Sequence, residues 1–295
     1  MTAIKIDTRT PAERLRLIPF EEVVERTAAC CFEAACQLPA DVLQAIQDAA
    51  KKETSQLGKG FLQQYIENAK IASEHPMPIC QDTGFAVFFV EMGEMVKIDG
   101  GSIYEAITAG VAKGYKEGYL RKSIVRDPLF GRPNTGDNTP PIIHLTLVPG
   151  DKLNVVLAPK GGGSENMSAL KMLKPSDGRE GVVKFVTETV IAAGGNPCPP
   201  TVVGVGIGGT FEKAAFLAKK ALLRKVGTPS EDSEYAELEQ EILQKINASG
   251  VGPQGLGGDT TALAVHINHH PCHIASLPVA VNLNCHAARH AGFTL

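Results

Sequence analysis

Three cysteines of this chain stand far apart, each in a short polar turn. Cys80 lies in Pro-Ile-Cys-Gln-Asp-Thr-Gly (78–84), Cys198 in Asn-Pro-Cys-Pro-Pro (196–200), and Cys285 in Asn-Cys-His-Ala-Ala-Arg (284–289). A structural thiol needs only apolar neighbours. Turn formers and acid–base side chains instead suit a thiolate that meets a metal. No Cys-x-x-Cys pair occurs, which argues against a zinc ribbon and against the compact ligand runs of electron-transfer ferredoxins. Three dispersed thiolates suit a cluster assembled by the fold, with one of four irons left open for chemistry. Taken singly, each segment also has a plain reading. Asp82 can cap a turn before a strand, and Cys198 can sit in an ordinary helix–strand connection stiffened by Pro197, Pro199 and Pro200.

The other cysteines read differently. Cys30, Cys31 and Cys36 fall in an Ala-rich helical stretch, where adjacent residues do not share a face, and are expected to be small buried thiols. Cys272, beside His273, is expected to be structural. Lys160-Gly161-Gly162-Gly163-Ser164-Glu165-Asn166 follows a strand, and its glycines let backbone N–H groups converge on an anion. Gly204-Val-Gly-Ile-Gly-Gly209 fits a dinucleotide pattern, but Thr228-Pro-Ser-Glu231 stands where a second strand should end in an acid. Close strand–helix packing is the better account of those glycines. His266 alternates with apolar residues and reads as buried, while His269 and His270 belong to a loop.

The elements that must carry these turns are of both kinds. Helical periodicity runs from about Phe20 to Lys70, and Pro76 and Pro78 end it before Cys80. Phe85–Glu91 reads as a buried strand and Tyr104–Tyr119 as a helix. Ile142–Val148 and Leu153–Ala158, joined by Pro149-Gly150-Asp151-Lys152, read as a hairpin. A helix over Gly181–Ala193 stops at Gly194-Gly195. Thr201–Ile207 is a strand, followed by a helix from about Phe211 to Lys225. Glu231–Asn247 is a helix with Ser230 as N-cap. Ala262–Ile267 and Ile274–Leu283 are the last strands. The class is α/β in the sense of mixed α and β. One large domain over 1–295, mainly helical up to about residue 75, is expected.

Composition narrows the function. The 295 residues are 43% hydrophobic and 21% charged, so a sizeable core can form. A net charge of −3 argues against nucleic-acid binding. No apolar run reaches the roughly 18 residues of a membrane span, and the N-terminus lacks signal-peptide regions. A cytoplasmic protein with reduced thiols is expected.

Taken together and in order, Cys-Gln-Asp-Thr-Gly, Lys-Gly-Gly-Gly-Ser-Glu-Asn, Asn-Pro-Cys-Pro-Pro and Asn-Cys-His-Ala-Ala-Arg resemble the class I, iron–sulfur fumarate hydratase family. Asn134-Thr135-Gly136 and Gly252-Pro253-Gln254-Gly255 fit it too. The likeness runs from about residue 20 to 290 and is greatest to the separate α subunit of the two-subunit form. It implies that Cys80, Cys198 and Cys285 ligate one [4Fe–4S] cluster whose open iron acts as a Lewis acid in the reversible hydration of fumarate to (S)-malate. It further implies that Gln81 and Asp82 lie around substrate, with Asp82 and His273 as catalytic groups. Arg121 would grip a substrate carboxylate, Gly162 would donate its N–H to substrate, and His273 would contact it. Single-chain relatives continue well past the third cysteine, and that half supplies further active-site groups. A β subunit carrying them, in a hetero-oligomer, is therefore expected.

Two alternatives stand beside this reading. Tartrate dehydratase α subunits share the cysteine framework. The Ser-Glu-Asn-Met run after the triple glycine and the segment after Cys285 favour fumarate here. A non-catalytic iron–sulfur sensor or scaffold would use the same cysteines without substrate access.

Overall fold

The computed structural model describes residues 15–295. In chain order its elements are β1 (Arg16–Pro19), α1 (Phe20–Cys36), α2 (Ala40–Lys52), α3 (Gln56–Glu74), β2 (Phe85–Gly93), β3 (Val96–Asp99), α4 (Ile103–Glu117), β4 (Ile142–Val148) and β5 (Leu153–Lys160). Then follow α5 (Gly162–Glu165), β6 (Ala169–Leu173), α6 (Gly178–Ala193), β7 (Thr201–Gly208), α7 (Phe211–Ala221), α8 (Ser233–Asn247), β8 (Ala262–His270), β9 (Leu277–Asn284) and β10 (Ala291–Thr294). The mixed α and β class holds. None of these helices is long and apolar enough to cross a membrane. The chain divides into two compact units interleaved in sequence.

The first unit comprises the residues up to Glu33, Phe85–Ala158 and Ala291–Leu295. Its four-stranded sheet has the order β10-β5-β2-β4. The expected hairpin does not form. Ile142–Val148 and Leu153–Lys160 are both strands, but β2 lies between them and pairs in parallel with β4. The reason is burial. Ala86 to Val90 is a continuous buried run, which wants a partner on each side and cover on each face. Gly93 sits so near the Gly150 turn that a Cβ there would lie 2.4 Å from Gly150 O. In α4, Ser102 and Glu105 form a reciprocal capping box.

The second unit comprises Ala34–Gly84 and Pro159–His290. Its sheet has the order β6-β9-β7-β8, with β7 parallel to β8 and antiparallel to β9. Every residue of β7 is buried. Gly204 and Gly206 explain the dinucleotide-like pattern without a nucleotide. A Cβ at either would lie 2.1 or 2.0 Å from the carbonyls of Ala218 and Ala214 on α7. The glycines let helix and strand touch backbone to backbone. A core of Val, Ile and Leu from α6, α8 and the strands packs on this sheet. The cap of α8 is Asp232, accepting from Glu234 N–H, and not Ser230. Both residues are good caps, and the structure begins the helix at Ser233.

Candidate functional site

Within the second unit, three loops meet where β7 begins and β9 ends. The antiparallel register Val202↔Asn284 fixes that meeting. It places Cys198, just before β7, beside Cys285, just after β9. The His286 backbone N–H and ring Nδ1 both meet the Cys198 carbonyl, at 3.2 and 3.0 Å. A carbonyl only accepts, so Nδ1 carries the proton and Nε2 is the bare nitrogen. The His286 ring stacks on Tyr65 with centroids 3.7 Å apart. Burial, and then Arg289, hold its pKa down near 4, against the pull of the Cys198 carbonyl.

Cys80 comes to the same place from the turn after α3. Ile79 N–H donates to Ala35 O at 2.9 Å, and Asn68 Nδ2 donates to Ile79 O at 2.8 Å. Ile79 packs with Ala72, Ala287 and Cys285 in one small apolar cluster. The thiols sense one another. Cys198, though exposed, has its pKa raised by local desolvation first and then by Cys285 and Cys80. That of Cys285 is raised by burial, a rise opposed mainly by Arg289. Binding of a cation to the sulfurs of Cys198 and Cys285 must therefore release protons.

The Cys198 loop is held in an uncommon shape. Cys198 itself has φ +54°, in the left-handed region, and so does Gly194. A side chain there is strained and persists only where its surroundings fix it. Pro199 O accepts from Gln254 N–H at 2.9 Å and from Tyr65 OH at 3.4 Å. A Cβ on Gly195 would lie 2.6 Å from Gln254 O. The segment that follows the 253–255 turn is tied to the end of α2. Buried Glu53 accepts the N–H groups of Ser55, Asp259 and Thr260 at 2.9–3.1 Å.

Asp82 joins the cysteine turn to the glycine turn. Its Oδ1 accepts from Gly84 N–H at 3.0 Å and its Oδ2 from Gly162 N–H at 2.8 Å. The anion that the triple glycine holds is thus this chain's own carboxylate. Gly162 departs here from the sequence expectation, since its N–H is taken by Asp82. Behind the turn, buried Lys160 donates to Ser164 Oγ at 2.8 Å and pairs with Glu165 at 3.4 Å. Burial lowers its pKa to about 8, with Glu165 opposing. Glu165 also pairs with Lys219 at 2.6 Å and accepts from Asn282 at 2.8 Å.

Gln81 is exposed at the turn, where its Oε1 accepts from Cys80 Sγ at 3.3 Å. Arg121 belongs to the first unit, exposed on the loop after α4. His273 lies in the loop before β9, whereas Cys285 follows β9. His273 lines a cavity of about 690 Å³ with Tyr235, Arg179 and Cys272. Cys272 is exposed, with Sγ donating to Ser276 O at 3.3 Å. Cys30, Cys31 and Cys36 are buried as expected, and burial pushes the Cys30 thiol up to about 12.

Tyr65, Lys160, Gln254 and Arg289 line or brace the site without a role read from sequence. The only signal was their place inside or beside the motifs. Among the described residues, no three His, Cys, Asp or Glu side chains are grouped to hold a single metal ion. A buried arginine beside Cys285, with its Nε unpartnered, fits an anionic occupant.

A family model described as Fumarate hydratase (Fumerase) matches residues 24–294. A putative L(+)-tartrate dehydratase subunit alpha of Methanocaldococcus jannaschii is 50% identical over 264 residues, covering 88% of this chain and 92% of that protein. An L(+)-tartrate dehydratase subunit alpha of Escherichia coli strain UTI89 is 36% identical over 257 residues, covering 86% and 84%. That of strain K12 is 35% identical over the same length.

Proposed function

The chain belongs to the fumarate hydratase (Fumerase) family, and from that premise we propose that it is the α subunit of an iron–sulfur hydro-lyase acting on a small dicarboxylate, hydrating fumarate to (S)-malate. The observation that carries this is the meeting of the Cys80, Cys198 and Cys285 loops at one end of the β7–β9 pair, with Asp82 tied to the same turns. Cys80, Cys198 and Cys285 would hold a [4Fe–4S] cluster. When bound, such a cluster supplies a Lewis-acidic iron without a cysteine ligand, which polarises the C–O bond that forms or breaks.

The chain's own residues supply position and proton handling. Asp82 accepts N–H bonds on both oxygens, which fixes the plane of the carboxyl group. It orients substrate or takes the proton. The exposed amide of Gln81 offers a donor and an acceptor to a substrate oxygen. Gly162 N–H reaches substrate only by exchanging Asp82 for it. The planar guanidinium of Arg121 suits a carboxylate. Adding or removing water needs an acid and a base together, and the second group comes from a β subunit, as the relatives' names as subunits alpha support.

Tartrate is the second reading, carried by what those relatives are called. The test is turnover by the co-purified α and β subunits under nitrogen. Fumarate and (S)-malate interconverted with higher kcat/KM than L(+)-tartrate supports the first reading. The reverse order selects the second. No turnover of either by an iron-loaded complex overturns both.

A further inference from the structure

Arg289 is a buried cation with no carboxylate partner among the described residues. It is 4% exposed. Its Nη2 donates to Asp82 O at 2.7 Å, its Nη1 to Ala287 O at 3.4 Å, and its Nε is buried without a partner. The other buried cation of this unit, Lys160, has Glu165, which also pairs with Lys219, and half-buried Arg224 has Glu239. Among the described residues, Arg289 has only carbonyl oxygens. Burying an uncompensated charge is costly, so the site is built for a negative occupant. The guanidinium stands four residues after Cys285, and its charge is felt at the thiols of Cys285 and Cys36. Three thiolates on a [4Fe–4S] core of charge two plus leave a net negative charge.

Resting on the cluster reading above, we propose that Arg289 is the counter-charge of the group held by Cys80, Cys198 and Cys285. Through the Asp82 carbonyl it is also a positioning residue, tying the Cys80–Asp82 turn to the Cys285 loop. Reduction adds negative charge beside the guanidinium, so Arg289 favours the reduced state. A net charge near a cluster is one of the terms that sets its potential.

The test compares the full chain with Arg289→Lys and Arg289→Gln after anaerobic reconstitution. Circular dichroism checks the fold, iron and sulfide are counted per chain, and the cluster's midpoint potential is titrated. At a fixed potential, Arg289→Gln is expected to shift the reduced-to-oxidised ratio about tenfold toward oxidised, as one charge at several ångströms does. Arg289→Lys should stay near the parent. Folded Arg289→Gln that loses iron while Arg289→Lys keeps it also supports the proposal. An unchanged midpoint in Arg289→Gln overturns it, as does loss of iron in both folded variants. Should Arg289→Gln not fold, iron in Arg289→Lys below half the parent's overturns it. A parent that takes up no iron overturns the cluster reading itself, which separates the two failures.

Discussion

Asp82 does two jobs that one substitution can separate. Its carboxylate accepts from Gly84 and Gly162, and its carbonyl accepts from Arg289. Asp82→Asn keeps size and the backbone carbonyl but removes the charge. We expect kcat of the complex to fall by roughly 10²- to 10⁴-fold, the usual worth of a proton-transfer group, with iron content unchanged. A loss of iron in parallel would show that Asp82 only braces the Cys80 turn. The three cysteines were legible because each sits among residues that a mere core thiol does not need. Arg289 and Tyr65 were not, because their partners are long-range. Arg289 meets Asp82 across 207 residues, and Tyr65 meets Pro199 across 134. Nothing local encodes such pairs.

At the scale of elements, six of the ten strands among the described residues and most helices follow from periodicity and turn formers, but the strand pairing does not. The Pro149-Gly150-Asp151-Lys152 turn looks like a hairpin loop, yet β2 enters between the strands it joins. Parallel pairing leaves no short-range signal. β6 and β10, of five and four residues, are too short for a pattern to stand out. Two predictions belong here. Gly206→Ala would put a Cβ 2.0 Å from Ala214 O and should cost about 1–3 kcal/mol in denaturant unfolding, as overpacking does. On β8, His266 is buried, and its pKa is pulled down to about 4 by burial and then by Arg224. In the unfolded chain it is near 6.5, so between these values the unfolded state binds the proton first. Stability is complete above pH 6.5 and falls as the pH drops toward 4, by about 3 kcal/mol from this group. His266→Gln should flatten the dependence of unfolding free energy on pH across that window. An unaltered slope would show that His266 is not its source.

Over the whole molecule, the account makes this chain one half of an active site. The chain alone is expected to hold the cluster yet show no hydro-lyase turnover, and addition of its β subunit should restore turnover without changing iron content. Full activity in the isolated chain would contradict that. The central claim is narrower: three cysteines from three loops of the second unit hold one four-iron cluster with an open iron. Low-temperature EPR tests it most directly, on the anaerobically reconstituted chain after brief oxidation, beside Cys80→Ala, Cys198→Ala and Cys285→Ala. The account predicts a three-iron signal in the parent, since the iron without a cysteine is the one lost, and no such signal in any variant. A parent without signal and indistinguishable from the three variants would contradict it.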